Sequence, residues 1–171
     1  MIKCTMKDLG DVSLILGMQV SRDRLKVTLD INQENNVKAI LQRYGLVDSR
    51  SVSTPGTGKP LDLKLGTLLD YGNKLRYQEI VRSIIYSLTC TRWDIAYSVM
   101  QLTRAMSNPK DEYMVAAKRV LRYLKGTPVL CVRYSKDFAL HGYSDASHSD
   151  DPNNSRAVSG SLYMFAGGPV T

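Results

Sequence analysis

A cationic amphipathic segment, KRVLRYLKGT at residues 118–127, constrains the fold of this chain more than any other feature. Apolar residues recur upstream and within it at helical spacing, so one side of a helix must pack against a core. These residues are Met114, Ala117, Leu121 and Leu124. The pattern predicts a helix over residues 109–125, with Asn108 as N-cap, Pro109 in the first helical position and Gly126 as the stop.

A second face of this helix carries positive charge. Lys118, Arg122 and Lys125 follow one another at i, i+4 and i+7, and Arg119 lies beside them. Cations in such a row can contact successive phosphates of a nucleic acid, and each contact releases counterions. The alternative is a solvated face that shields the apolar stripe. Composition alone favours the solvated face.

An aspartate follows on a predicted strand, in the sequence GYSDAS at residues 142–147. A strand carboxylate such as Asp145 can hold Mg²⁺, and two such ions can assist phosphodiester cleavage. A site of that kind needs three or four converging carboxylates, and only Asp137, Asp150 and Asp151 are near in sequence. The alternative is an ordinary aspartate at a strand end or turn.

The N-terminal third reads as a hairpin and a helix. Residues 14–20 and 27–31 have strand patterns, and the polar stretch 21–24 between them predicts the turn. A helix of about three turns follows, ended by Gly45. Its apolar face comprises Val37, Ile40, Leu41 and Tyr44.

Residues 51–73 are rich in glycine and proline and predict a linker or long exposed loop. Apolar residues from Tyr77 to Leu88 then mark another helix, and Asp94 suits the cap of the next one. Three strands are predicted towards the C-terminus, at residues 129–134, 140–146 and 158–165.

Charge is unevenly distributed along the 171 residues. Residues 76–136 hold 11 Lys/Arg and 4 Asp/Glu, whereas residues 137–171 hold 1 and 4. A basic middle beside an acidic end suggests a polyanion-binding surface next to a cation-binding one.

The three cysteines lack zinc spacing and are odd in number, which favours a reducing compartment. We find no signal core or membrane span, so we expect an intracellular protein, cytoplasmic or nuclear, with no membrane partner.

Taken in order, five blocks of sequence resemble the Ty1/copia-type retrotransposon Pol polyprotein. They are MKDLG with Leu16-Gly17-Met18, NQENNVKAILQRYGL, VSTP, YQEIVRSIIYSLTCTRWDIAYSV with MSNP, and KRVLRYLKGT with GYSDAS. The resemblance covers nearly the whole chain. It corresponds to the end of reverse transcriptase, an RNA-directed DNA polymerase, and the beginning of ribonuclease H.

The resemblance implies an α+β fold in four parts. Residues 1–50 would hold the end of the reverse transcriptase palm, with the primer-grip hairpin and a helix. Residues 51–75 would form a linker, and residues 76–126 a helical thumb/connection unit. Residues 127–171 would form a partial ribonuclease H-like sheet.

The resemblance also implies roles for single residues. Leu16 and Gly17 would belong to the hairpin that seats the primer terminus. Asp145 would be the first catalytic, metal-binding carboxylate of ribonuclease H, with Mg²⁺ as the ion in the complete enzyme. Lys118, Arg119, Arg122 and Lys125 would contact an RNA–DNA hybrid or duplex, and the other partner would be the remainder of the polyprotein.

Departures from the family pattern suggest a decayed or fragmentary copy. The paired polymerase aspartates and the later ribonuclease H carboxylates are absent. Trp93 stands where proline is usual, Asn36 where tyrosine is usual, and Arg82 where glycine is typical of a close helix contact. We therefore expect hybrid binding without catalysis by this piece alone. Two alternatives stay open: a basic nucleic-acid-binding module, and a relic or protein-interaction product with exposed apolar surface.

Overall fold

The first four strands form an antiparallel sheet in the part of the chain that the computed structural model describes, which is residues 7–8, 10–62, 64–146 and 157–170. Strands β1 (Leu14–Ile15), β2 (Met18–Asp23) and β3 (Thr28–Asn32) pair in chain order. Strand β4 (Cys131–Tyr134) completes the sheet beside β3. We had expected this fourth strand in the C-terminal sheet, so the boundary at residue 127 does not coincide with the boundary between sheets.

The predicted hairpin is present, but its turn lies later than the sequence suggested. Residues 21–23 continue β2, and the chain reverses over residues 24–27. The Asp23 carboxylate accepts hydrogen bonds from the backbone N–H groups of Leu25 and Lys26 at 2.9 and 3.0 Å. An aspartate that bonds the backbone two or three residues ahead stabilises such a turn. The polar Ser21 and Arg22 therefore lie on the strand and face solvent.

Helix α1 (Glu34–Arg43) ends as its glycine predicts. Gly45 has a φ of 68°, a left-handed value that glycine adopts without strain. The N–H of Gly45 donates to the Gln42 carbonyl and the N–H of Leu46 donates to the Leu41 carbonyl. This pair of bonds is a Schellman motif, which satisfies the last carbonyls of the helix.

Three further helices pack with α1 around one core. They are α2 (Tyr71–Cys90), α3 (Ala96–Thr103) and α4 (Asp111–Gly126), with a 3₁₀ turn at Trp93–Ile95 before α3. All the core positions predicted for the first and last helices are buried, and so are Tyr77, Ile80, Val81 and Ile84 of α2. The buried Tyr77 hydroxyl donates to the Leu102 carbonyl at 2.6 Å, which ties α2 to α3.

The helix beginnings differ from the sequence-based predictions. Helix α2 begins at Tyr71, well before residue 76, because Asp70 caps it by accepting from the Asn73 N–H at 2.9 Å. Helix α4 begins at Asp111, so Asn108 is not its N-cap. Residues 109 and 110 stay outside the helix because the Leu69 N–H donates to the Pro109 carbonyl at 3.0 Å and Leu68 pairs with Lys110.

Two positions that depart from the family pattern fit this helical unit. Arg82 is exposed on α2, so no close helix contact is blocked there. The Asn36 side-chain amide donates to the Ser87 hydroxyl at 3.2 Å and links α1 to α2.

None of the described helices is long and apolar enough to cross a bilayer.

The C-terminal strands form a second antiparallel sheet. Strands β5 (His141–Ala146), β6 (Ser159–Phe165) and β7 (Gly168–Pro169) pair in chain order. The two sheets meet where the Tyr134 hydroxyl donates to the Pro169 carbonyl at 2.7 Å. Helices and antiparallel strands are segregated along the chain, so the fold is α+β.

Candidate nucleic-acid interface and carboxylate site

The tip of the first hairpin is a two-residue turn at Leu16 and Gly17. Their φ values are 48° and 76°, as a two-residue hairpin loop requires. The Leu16 side chain is 80% exposed, whereas its carbonyl accepts a short hydrogen bond from the Tyr86 hydroxyl of α2. Partial burial and the neighbouring Cys90 thiol raise the pKa of Tyr86, which keeps the hydroxyl protonated as a donor. Tyr86 thus fixes the hairpin on the helical unit.

Replacing Gly17 by alanine is expected to lower the free energy of unfolding by about 2 kcal/mol, since a left-handed residue with a side chain costs about 1–2 kcal/mol. An added Cβ would also lie 3.0 Å from the Tyr86 hydroxyl. Gly58→Ala is the matched control, because Gly58 has a φ of 77° and open space around its Cα. Urea unfolding of both variants separates backbone strain from the contact. Equal losses in the two variants would show that the contact with Tyr86 contributes nothing.

The cations of α4 line one flank of the helix, and three of them hold residues 49–54. The Arg122 Nε donates to the Arg50 carbonyl at 2.6 Å, and the Lys125 ammonium donates to the Ser49 carbonyl. The Arg119 Nη2 donates to the Thr54 hydroxyl at 2.9 Å. Lys118 is exposed. We name residues 49–54, which run along this flank, the strap.

The strap contacts leave hydrogen-bonding capacity on the flank. The bonds to Ser49 and Arg50 go to neutral carbonyls, so they do not neutralise the charges of Lys125 and Arg122. A lysine ammonium has three donors and an arginine guanidinium has five. Lys118, Arg122 and Lys125 therefore remain able to attract an anionic backbone, with Lys118 the most accessible.

A cavity of about 390 Å³ opens beside this flank. The linker after the strap, α3 and α4 enclose it, and its lining is mostly apolar. Arg119 and Arg122 form part of the lining, together with Tyr97 and Val115, which are both exposed. The cavity thus places apolar surface next to positive charge.

A buried arginine anchors the C-terminal end of α4. Arg92 is 1% exposed, and its Nε and Nη2 donate to the two carboxylate oxygens of Asp94 at 2.9 and 2.8 Å. Its other donors reach the carbonyl and hydroxyl of Thr127, just beyond the helix. The Tyr123 hydroxyl donates to Asp94 at 2.8 Å. Asp94 is therefore an ion-pair partner, and the prediction that it caps a helix is wrong.

The charge states within this network follow from its contacts. Burial by itself raises the pKa of Asp94, but hydrogen bonds from Arg92 and Tyr123 and the Arg92 charge outweigh it, and the net pKa is lowered. Burial and the Asp94 carboxylate raise the pKa of Tyr123. At neutral pH the network therefore holds a carboxylate, a guanidinium and a neutral phenol.

Asp145 lies on β5 and is exposed. It pairs in register with Gly160 of β6, and its neighbours Ser144, Ala146 and Ser161 are small. Small residues around a strand carboxylate leave room for a bulky ligand such as a nucleic-acid backbone. Sequence reasoning placed this residue on a strand, and the structure agrees.

The described residues do not by themselves form a magnesium site at Asp145. No group of three or more potential metal ligands occurs among them, and Mg²⁺ usually takes carboxylates together with substrate phosphates. The Asp137 carboxylate accepts from the Ala139 N–H, so it serves a local turn. Asp150 and Asp151 lie outside the described residues.

Sequence reasoning missed Tyr86, the Arg92 network and the strap contacts. Arg92 and Asp94 are two residues apart and of opposite charge, which is a weak signal, because such pairs usually lie on the surface. Backbone carbonyls of the strap give no signal, since every residue has one. Tyr86 reads as one more aromatic residue on a helix.

Comparison with known proteins identifies the family. A retrovirus-related Pol polyprotein from the Nicotiana tabacum transposon TNT 1-94 is 37% identical over 175 residues, which cover 97% of this chain and 13% of that protein. The corresponding polyprotein from the Arabidopsis thaliana transposon RE1 is 31% identical across 98% of this chain and 11% of its own length. A putative transposon Ty5-1 protein of Saccharomyces cerevisiae is 29% identical across 98% of this chain and 54% of its length.

The chain belongs to the family of Pol polyproteins from copia-type retrotransposons. It spans about an eighth of the length of the tobacco relative. No protein-family model matches the chain, and no solved structure matches it.

Proposed function

We propose that this chain is the segment of a copia-type Pol polyprotein that joins reverse transcriptase to ribonuclease H and binds the RNA–DNA hybrid. The observation that carries the proposal is the row of Lys118, Arg122 and Lys125 along one flank of α4. At about 1.5 Å of rise per residue the row is about 10 Å long. Contacts of this kind release counterions and bind without sequence preference.

The hairpin tip and Asp145 take the roles that the family resemblance implies. Leu16 and Gly17 present an exposed turn that Tyr86 holds in place, which suits a hairpin that seats a primer terminus. Asp145 is exposed on an edge strand, which suits the first carboxylate of a ribonuclease H-like sheet. In the complete polyprotein, further carboxylates would join Asp145 to hold Mg²⁺.

Exposed apolar residues support a second partner, the remainder of the polyprotein. Phe138, Leu140 and Tyr143 are each at least 60% exposed, around the start of β5. Solvent-exposed apolar residues close together mark interaction surfaces. The tobacco relative is about eight times as long as this chain, which supports additional sheet structure of a longer polyprotein as the cover.

Hybrid binding across a KCl series tests the proposed function. With two or three phosphate contacts, we expect log Kobs to fall against log [KCl] with a slope of about −2 to −3. Asp145→Asn should leave this slope unchanged, because Asp145 is remote from the row in sequence and carries no positive charge. Binding that does not depend on salt would contradict the proposal.

The same preparation tests catalysis. We expect no Mg²⁺-dependent cleavage of the RNA strand, because two-metal hydrolysis needs several converging carboxylates and the described residues contain no group of three or more potential metal ligands. Cleavage by the wild-type chain that Asp145→Asn abolishes would show that the chain is a complete nuclease, contrary to the proposal.

A further inference from the structure

Thr54 of the strap is an exposed hydroxyl followed by proline. It lies in a segment without helix or strand, in the sequence Ser53-Thr54-Pro55. Its hydroxyl donates to the Gly56 carbonyl at 2.9 Å and accepts from Arg119 Nη2 at 2.9 Å. An accessible Thr-Pro pair in a loop is a suitable substrate for a proline-directed protein kinase.

The arginine beside this hydroxyl has an unused donor on the same edge. Arg119 Nε is buried and has no hydrogen-bond acceptor among the described residues. In this protein the Nε–Nη2 edge of Arg92 holds both oxygens of Asp94, and the same edge of Arg133 holds both oxygens of Asp30. Among the described residues, Arg119 donates through Nη2 to a single oxygen atom, the Thr54 hydroxyl. Its edge therefore lacks one acceptor that a planar or tetrahedral oxyanion would supply.

We propose that Thr54 is a phosphorylation site and that Arg119 binds the resulting phosphate through its Nε–Nη2 edge. A proline-directed Ser/Thr protein kinase would supply a nucleoside triphosphate. The Thr54 Oγ1 forms a bond to the γ-phosphorus, and the bond from that phosphorus to the bridging oxygen breaks. The hydroxyl proton passes to the catalytic carboxylate of the kinase, and the nucleoside diphosphate leaves.

Neighbouring charge favours the product. Lys59 and Arg122 line the same cavity as Arg119, and the carboxylates Asp111 and Glu112 line it too, so the cationic side chains outnumber the anionic ones by one. A phosphate carries about two negative charges and three acceptor oxygens, and it orders a loop when arginines receive it. Phosphorylation would therefore fasten the strap to α4.

A consequence for nucleic-acid binding rests on the proposed function. A phosphate beside Arg119 and Arg122 would lower the affinity of the α4 flank for an RNA–DNA hybrid. The modification and its effect on the strap do not depend on that function, so the two can fail separately.

The chain contains an internal control, the second Thr-Pro pair at Thr127-Pro128. The Thr127 hydroxyl accepts from Arg92 Nη2 at 2.7 Å and donates to the Tyr123 carbonyl at 3.0 Å. It is half-buried at the end of α4. In the folded protein a kinase should therefore modify Thr54 and leave Thr127 unmodified.

The test is incubation of the full chain with a proline-directed Ser/Thr kinase and ATP, followed by peptide mass spectrometry and thermal unfolding. We expect one phosphate at Thr54, none in Thr54→Ala, and a rise in Tm of about 2–4 °C in the wild type. Arg119→Lys keeps the charge but lacks the planar fork, so its Tm should not rise on phosphorylation.

Three results overturn the proposal. One is the absence of phosphate at Thr54 in the folded chain. Another is modification of Thr127 to the same extent, which would show that exposure does not select the site. The last is an equal rise in Tm for the wild type and Arg119→Lys, which would exclude Arg119 as the receptor. Each leaves the salt-dependent hybrid binding of the unmodified chain untouched.

Discussion

Replacing Arg92 by methionine is expected to lower the free energy of unfolding by about 2–3 kcal/mol, because hydrogen bonds made by a buried charged group contribute about 1.5–3 kcal/mol. Methionine fills much of the volume but leaves the Asp94 carboxylate, whose side chain is 34% exposed, without its guanidinium. It also removes the two donors that reach Thr127. Because the pKa of Asp94 is lowered in the fold, the contribution of the pair is present above the unfolded pKa of the carboxyl and disappears as the pH falls through its folded pKa.

Arg133→Met is the matched control for this prediction. Arg133 binds Asp30 through the same bidentate geometry, but its side chain is 63% exposed. An exposed ion pair contributes about 0–1 kcal/mol, so this variant should unfold within 1 kcal/mol of the wild type. Urea unfolding at pH 7 measures both. Similar losses in the two variants would show that burial of Arg92 does not govern its contribution.

The double substitution Lys118→Ala and Arg122→Ala is expected to make the salt slope of hybrid binding shallower by about 1–2, since each lost phosphate contact removes about 0.9. Affinity at low salt should fall about tenfold or more, because the lost contacts reduce counterion release. The α-helix itself should survive, since both side chains lie outside the core cluster.

The control for that variant removes the same charge elsewhere. Lys38→Ala with Arg43→Ala neutralises two exposed cations of α1 and leaves the flank of α4 intact. Its slope should remain within experimental error of the wild type. If both double variants lose slope equally, net charge and not the α4 flank accounts for binding.

Local signals in the sequence predicted much of the fold. The helical periodicity of α1 and α4 identified their buried faces, and Gly45 marked the end of α1 because only a left-handed residue closes a Schellman motif easily. The strand at Asp145 was also predicted from its local pattern.

Features that depend on distant partners were not predictable in the same way. Gly72 and Asn73 resemble a loop, yet they lie in α2 because Asp70 caps it. Asn108 and Pro109 resemble a helix start, but Asn108 lies in a bend and pairing of residues 109–111 with residues 67–69 delays the helix to Asp111. The placement of β4 beside β3 depends on a strand about a hundred residues earlier. The sequence of β4 predicts that it is a strand but does not predict that it pairs with β3.

The candidate site also combines features that the local sequence predicted with features that depend on distant residues. Spacing placed Lys118, Arg122 and Lys125 together, and the resemblance assigned Leu16 and Gly17 to a hairpin. The turn at these two residues was not predicted, since residues 14–20 read as one strand. The strap could not be predicted, since its acceptors at Ser49 and Arg50 are backbone carbonyls. Its effect is substantial, because three of the four predicted nucleic-acid-binding cations also hold the strap.

The position of the hybrid on the protein tests the central claim most directly. A photoreactive benzophenone amino acid is placed at position 118 on α4 or at position 38 on α1, and each protein is irradiated with a labelled RNA–DNA hybrid. We predict crosslinking from position 118 that excess unlabelled hybrid suppresses, and only background from position 38. Equal yields at the two positions, or a specific crosslink from position 38 alone, would contradict the assignment of the α4 flank as the hybrid-binding surface.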